Sequence, residues 1–434
     1  MHSPDGTPAP APADEADVPS PEALATIGAR LRALRLQAGW TQEALGQPFF
    51  SKGYISQVEH GRLAPSLALL SVASSRLGAP LERLAPELET VRCAEDAVRL
   101  WRVAERLRRH GEVGCEVDVL EQASRLAGAS DDGHLRGEGL LRYADALRRQ
   151  GRPGEALDAC AEALESFSAA GAACRVGECY HAWALVHSER GDPDGALRDL
   201  RRALRRIPAQ DVRHAKALLA LARLLLEIVE SDEALRCARQ AVALCHARGE
   251  GGLEIEARLL AAEAQVAAGD VPGALDSLLR AEKIDAGGDR LATAAAIAAL
   301  KAVARDDEPA MLESLAAAEA APDHALAARL CTHLSARRLR TGDPAGAAGI
   351  AERGVRHATA ARQWLREARL EGHLAVALAT QGDASGAVAA CLVARDRLLA
   401  LKRPQAAQSV LREVCRCAPE AAATLAPLLE RAGG

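Results

Sequence analysis

Gly-Asp-Pro-Asp-Gly-Ala-Leu, at residues 191–197, is the stretch on which the fold of this 434-residue chain turns. It returns as Gly-Arg-Pro-Gly-Glu-Ala-Leu at 151–157, Gly-Asp-Val-Pro-Gly-Ala-Leu at 269–275, Gly-Asp-Pro-Ala-Gly-Ala-Ala at 342–348 and Gly-Asp-Ala-Ser-Gly-Ala-Val at 382–388. Each copy separates two helix-length segments. Taking the small residue just after each turn as a ruler gives Cys115, Ala156, Ala196, Ala234, Ala274, Ala310, Ala347 and Ala387, with gaps of 41, 40, 38, 40, 36, 37 and 40. Twelve residues before the last seven stand Ala144, Ala184, Ala222, Ala262, Ala298, Ser335 and Ala375. Small residues at matched places on the two arms of a helical hairpin let the axes approach closely, so the pattern predicts a stack of hairpins.

Composition agrees. Hydrophobic residues make up 49% of the chain but aromatics only 2%, so burial rests on Ala, Leu and Val, which suit helix-on-helix packing. The expected class is all-α. Only five of the 54 basic residues are Lys and there is no Asn, a bias that fits a GC-rich genome. The hairpins resemble tetratricopeptide repeats, whose small residues at the eighth and twentieth positions fall on these sites, although that unit is about 34 residues long. The expected organisation is a tail over 1–19, an N-terminal domain over 20–86, the repeat array over 87–403 and capping helices over 404–434.

The N-terminal region reads differently. Residues 1–19 carry Asp5, Asp14, Glu15 and Asp17 with no Lys or Arg, and show no apolar period; they read as a disordered tail. Residues 20–86 carry six Arg and Lys52 against four Glu, a local excess of +3 in a chain of net charge -5, as phosphate binding would need. Ser20-Pro21-Glu22 opens a first helix with Leu24, Ile27, Leu31 and Leu34 at helical spacing. Gly39 ends it, a short helix follows over Thr41–Gly46, Ser51 caps a third running to about His60, Pro65-Ser66 starts a fourth, and Pro80 leads into a fifth.

The segment Ile27 to Leu84 resembles the Xre family of helix-turn-helix domains, the type of Cro and lambda repressor. The residues that carry the likeness are Leu31, Leu34 and Arg35; Gly39-Trp40-Thr41-Gln42-Glu43 with Leu45; Ser51, Tyr54-Ile55-Ser56 and Val58-Glu59; Gly61-Arg62, Pro65-Ser66 and Leu77-Gly78. The run is one residue short of the usual pattern at Gln47-Pro48-Phe49. The resemblance implies a recognition helix in the major groove of double-stranded DNA, with Lys52, Gly53 and Gln57 at the base edges. Gln42, Tyr54, His60 and Arg62 are then candidate phosphate contacts. Ile55, Val58 and Leu45 are expected in the core, and Glu59 in an ion pair with Arg35. One such domain covers a half-site, so a homodimer is expected, with the array supplying dimer contacts.

The first helix of each hairpin should line the concave face. The ruler turns Arg148, His181, Arg223, Arg329, Arg340 and Arg369 inward, together with Glu227, Glu256 and Glu263. An extended peptide or protein effector could lie there, its carboxylates paired by arginines. The combination resembles the peptide-pheromone regulators of Gram-positive bacteria, yet those commonly hold the peptide backbone with Asn, which this chain lacks. A protein-interaction scaffold with the helix-turn-helix as a tether is the other reading.

No phosphate-binding loop, His-Glu-x-x-His or Gly-x-Ser-x-Gly motif occurs, so no enzyme activity, cofactor or metal is expected. The 11 Cys include no Cys-x-x-Cys and fall mainly within helical patterns, where a reduced thiol packs as a small apolar group. With no basic-apolar leader and no long apolar run, the expected place is the cytoplasm, away from membranes.

Overall fold

The computed structural model describes residues 21–63, 65–84, 93–129, 132–285 and 291–430, and every regular element among them is an α-helix. The acidic tail, the Ser20 cap and the 85–92 junction lie outside the described residues. The chain forms two compact units, 1–172 and 173–434.

In the first unit the N-terminal bundle consists of α1 (Pro21–Gln37), α2 (Gln42–Gly46), α3 (Lys52–Glu59), α4 (Leu67–Leu77) and α5 (Leu81–Leu84). The side chains of Thr41, Ser51 and Ser66 accept from the backbone N–H groups of Ala44, Tyr54 and Leu69, which starts α2, α3 and α4 where the sequence places them. Ile27, Leu31, Leu45, Ile55, Val58, Leu69, Leu70 and Leu84 are fully buried and form one core. A Cβ on Gly28 would stand 2.2 Å from the Val58 carbonyl oxygen, so α1 and α3 cross at backbone contact and only glycine fits there.

Two hairpins complete this unit, α6 (Cys93–Arg109) with α7 (Val113–Gly128) and α8 (Gly133–Gln150) with α9 (Pro153–Ala169). Helix α4 packs on α6 and α7. Arg76 on α4 donates to the carbonyl oxygens of Leu45 and Gln47 at the end of α2, at 2.9 and 2.7 Å. Its other nitrogen meets both oxygens of Glu112, just ahead of α7, at 2.6 and 2.7 Å. The bundle is therefore bonded to the first hairpin through charge-assisted hydrogen bonds, not merely tethered to it.

The second unit holds α10 (Ala173–Glu189), α11 (Pro193–Arg206), α12 (Val212–Glu227), α13 (Ser231–Arg248), α14 (Gly251–Ala267), α15 (Val271–Asp285) and α16 (Leu291–Ala304). It continues with α17 (Glu308–Ala320), α18 (His324–Thr341), α19 (Pro344–Ala360), α20 (Trp364–Thr380), α21 (Ala384–Ala400), α22 (Pro404–Cys417) and α23 (Pro419–Glu430). The first helices of successive hairpins touch one another from α10 to α22 and make the inner wall.

The recurring turn has a physical reading. Five residues before each buried ruler position stands a residue of positive φ: Gly151 at 84°, Gly191 at 75°, Gly269 at 79°, Gly342 at 80° and Gly382 at 85°. Glycine closes the first helix at no steric cost. Except after Gly151, where Arg152 makes no side-chain cap, the following Asp then caps the second helix, Asp192 accepting from Gly195 at 3.1 Å and Asp343 from Gly346 at 2.8 Å, and Pro193 and Pro344 open it.

At the same turn position Val229 takes φ 69°, a conformation that clashes with its branched Cβ, and it is solvent-exposed. Val229→Gly is therefore expected to stabilise the chain by about 1 kcal/mol, read as a higher urea midpoint. An unchanged or lower midpoint would mean that the turn carries no strain.

Two ruler positions need correction. The packed site is the fourth residue of each second helix: Ala156, Ala196, Ala234, Ala274, Ala347 and Ala387 are all at most 1% exposed. In α17 that place belongs to Met311, in α7 to Glu116, at 1% and 2% exposure, while Ala310 and Cys115 are half-buried. The twelve-residue partner of Met311 is accordingly buried Ala299, and Ala298 is exposed. A search for small residues skips a long side chain at the packed site. Glu116 is tolerated because Arg149 on α8 grips both its oxygens at 2.7 and 2.8 Å.

Candidate nucleic-acid interface and array interior

Helix α3 is two-faced. Ile55, Val58 and Glu59 are buried, whereas Lys52, Gly53 and Gln57 are exposed. Gly53 and Gln57, four residues apart, share one outward stripe with Lys52 at its N-terminal edge. A Cβ on Gly53 would meet nothing nearer than Ser51 Oγ at 3.9 Å, so this edge is open to close approach.

The inner face is fixed by charge. Glu59 accepts two bonds from Arg35, at 2.6 and 2.9 Å, and one from Gln42 Nε2 at 2.8 Å, while Arg35 also donates to the Trp40 carbonyl at 2.7 Å. The ion pair expected between Glu59 and Arg35 is present, and it ties α1, α2 and α3 together. Burial opposes ionisation of Glu59, but the bonds from Arg35 and Gln42 outweigh it and hold the carboxyl below its usual range.

The candidate phosphate contacts divide. Arg62 and His60 are exposed, the His60 ring turned toward its own helix with Nδ1 2.6 Å from the Ser56 carbonyl. Gln42 is half-buried with its amide committed to Glu59, and the Tyr54 hydroxyl accepts from Ser66 N–H at 2.9 Å. These two support the helix pair from within.

Of the residues expected in the groove, Arg148 belongs to the first unit, 2.8 Å from Asp145. The other five lie in the second unit, which does not bring all of them together. Arg223 pairs with Glu256, exposed Arg340 with Asp306 at 3.5 Å, and His181 is half-buried on α10. Arg329 and Arg369 converge on the interior: Arg329 lies 3.2 Å from Glu263, and Arg369 donates to the Glu227 carbonyl at 2.8 Å.

The sequence reading missed Arg366, His333 and His373, which join them. The signal was present, since Arg366, Arg369 and His373 fall at i, i+3 and i+7 on α20, and Arg329 and His333 at i and i+4 on α18. The second unit also closes on itself. Trp364 Nε1 donates to the Glu189 carbonyl at 2.7 Å and Arg403 to Asp194 at 2.8 Å, bonds that span 175 and 209 residues. What the sequence suggested as an open groove is, in this unit, a lumen closed by these bonds.

Burial pushes His333 and His373 down to about 4. As pH falls through 6.5 the unfolded chain takes up both protons while the folded unit resists, so this stability is complete above pH 6.5 and is lost toward pH 4. Glu371, raised by burial to about 7, and Glu227, also raised by burial, act in the opposite sense over the same window, so the imidazole contribution is read as a difference between two proteins. From about pH 7 to about pH 5 the melting temperature of the unaltered chain is expected to fall by several degrees relative to that of His373→Gln. An identical pH dependence in the two would refute the buried neutral pair.

Among the described residues no group of three or more His, Cys, Asp or Glu is placed to hold a metal, and no helix is long and apolar enough to cross a membrane. Cys160, Cys237 and Cys391 are buried free thiols, as expected.

Residues 26–86 match a helix-turn-helix domain family and residues 136–209 a tetratricopeptide repeat family. No curated protein matches the chain. Among solved structures, aspartyl phosphate phosphatase F from Bacillus subtilis is similar at 11% identity with a TM-score of 0.54, over 80% of this chain and 96% of that one. A Rap protein complexed with competence and sporulation factor is similar at 13% identity and a TM-score of 0.52, over 77% and 98%. Bacillus thuringiensis PlcR, solved with the peptide PapR7 and DNA, aligns at 14% identity and a TM-score of 0.37, over 64% and 99%. The first two share the helical-repeat fold with this chain.

Proposed function

We propose that this chain, a helix-turn-helix domain joined to tetratricopeptide-type repeats, is a sequence-specific DNA-binding regulator of transcription. Lys52 and Gln57 read base edges in the major groove, Gly53 lets the helix sit close, and Arg62 and His60 set register on the phosphates. The chain acts as a homodimer on an inverted repeat, and the array supplies dimer contacts and the response to a peptide or protein effector.

The observation that carries this reading is the division of α3, whose outward residues are those a groove would meet while its inward ones are locked by Arg35 and Gln42. The docking of α4 on α6 and α7 adds a route by which the array could place the reading helix. Fluorescence anisotropy of the full chain on labelled duplex DNA tests it. Affinity should fall by roughly 10³-fold between about 50 and 200 mM salt as counterions are released. Absence of salt-dependent binding would overturn the proposal.

A further inference from the structure

The lumen of the second unit holds more guanidinium than it can pair. Arg329 and Arg366 share the single carboxylate of Glu263, at 3.2 and 3.8 Å, and the Nε of each is buried with no hydrogen-bond partner. Arg369 is bonded to the Glu227 backbone carbonyl and Arg223 is neutralised by Glu256, so the three guanidinium groups of Arg329, Arg366 and Arg369 face two carboxyl groups, those of Glu263 and Glu227. Each guanidinium offers five N–H donors, and donors left unpaired inside protein are costly. The wall therefore presents surplus positive charge and unused donors.

These groups are not sealed in a core. The side chains of Arg329, Glu263 and Arg366 keep 21%, 11% and 8% of their surface, so water reaches them from the lumen. Beside them lies a cavity of about 240 Å³, lined by Val266, Ala267, Val303 and Met311 and bordered by His333, Arg340 and Asp306, whose carboxylate is paired with Arg337 and Arg340. His333, part of the cavity lining, stands one helical turn from Arg329 on α18, which sets the cavity next to the charged wall.

We propose that this lumen binds a small carboxylic acid with an apolar body, its carboxylate between Arg329 and Arg366 and its body against Val266, Val303 and Met311. A carboxylate accepts two parallel N–H bonds from a guanidinium and compensates the surplus charge. An inorganic oxyanion would leave the apolar wall unused.

The test uses the full chain and three probes of one size: hexanoate, hexylamine and 1-hexanol, at matched ionic strength. Saturating hexanoate should raise the melting temperature by about 5 °C, and the cationic and neutral probes should not. Arg366→Gln should abolish the shift. Because that change alters the wall itself, Val303→Phe, which fills the cavity and spares the guanidinium groups, should abolish it too. Equal shifts with all three probes, no shift with hexanoate, or a shift that survives both substitutions would overturn the site. DNA binding is not the readout, so failure here is distinct from failure of the proposed function.

Discussion

Glu59→Ala is expected to destabilise the N-terminal bundle by roughly 3–5 kcal/mol, enough to unfold it in a large fraction of molecules. The reason is not the loss of the attraction alone. Arg35 would remain buried with its charge unmatched, Gln42 would lose its acceptor, and three helices would lose the one group to which all are tied. Hydrogen exchange over residues 26–84 measures the effect without requiring the rest of the chain to unfold. Protection should collapse there and persist in α10 to α21. Arg35→Leu combined with Glu59→Leu should recover part of the loss, since an apolar pair leaves no unmatched charge. A loss below about 1 kcal/mol in the single variant would show that the pair is not what holds α1 to α3.

The second large effect is on recognition. Lys52→Ala and Gln57→Ala should each lower affinity for the preferred site by roughly 5- to 150-fold, the cost of one good base contact, and leave binding to unrelated DNA nearly unchanged. Both side chains are exposed and outside the core, so stability should not move. Arg62→Ala should weaken all sequences alike, as a phosphate contact does. Competition binding with specific and unrelated duplexes separates the two behaviours. Equal losses on both duplexes for Lys52→Ala and Gln57→Ala would move these residues from base edges to the backbone.

The legible parts of the molecule were those governed by local chemistry. The cap at Ser51, the start of α4 at Pro65-Ser66, the stop at Gly39 and the Gly-Asp-Pro turns depend on a few adjacent residues, and each stands where the sequence put it. The pairing of Glu59 with Arg35 was also legible, because an acid on the inner face of α3 needs a cation from a neighbouring helix.

What was not legible depended on long-range geometry or on an exception to size. Met311 and Glu116 occupy places where the pattern leads one to look for alanine, one filling the space with a flexible chain and the other satisfied by Arg149. The closure of the second unit rests on bonds across 142 to 209 residues, which no repeat period encodes. That closure turns Arg329 and Arg369 from an open groove into a lumen, where Arg366, one turn before Arg369 on α20, meets Arg329 at Glu263. Gln42 and Tyr54 were read as surface contacts because the motif places them near DNA; their partners Glu59 and Ser66 draw them inward.

Sequence selection from a random duplex pool with the full chain is the most direct measurement of whether α3 reads DNA. The expected result is an enriched inverted repeat whose half-sites lie one helical turn apart, as two helix-turn-helix domains in a dimer require, and whose enrichment is lost with Gln57→Ala. A pool that stays random while the chain still binds it would contradict sequence-specific regulation and leave the array as the working part of the molecule.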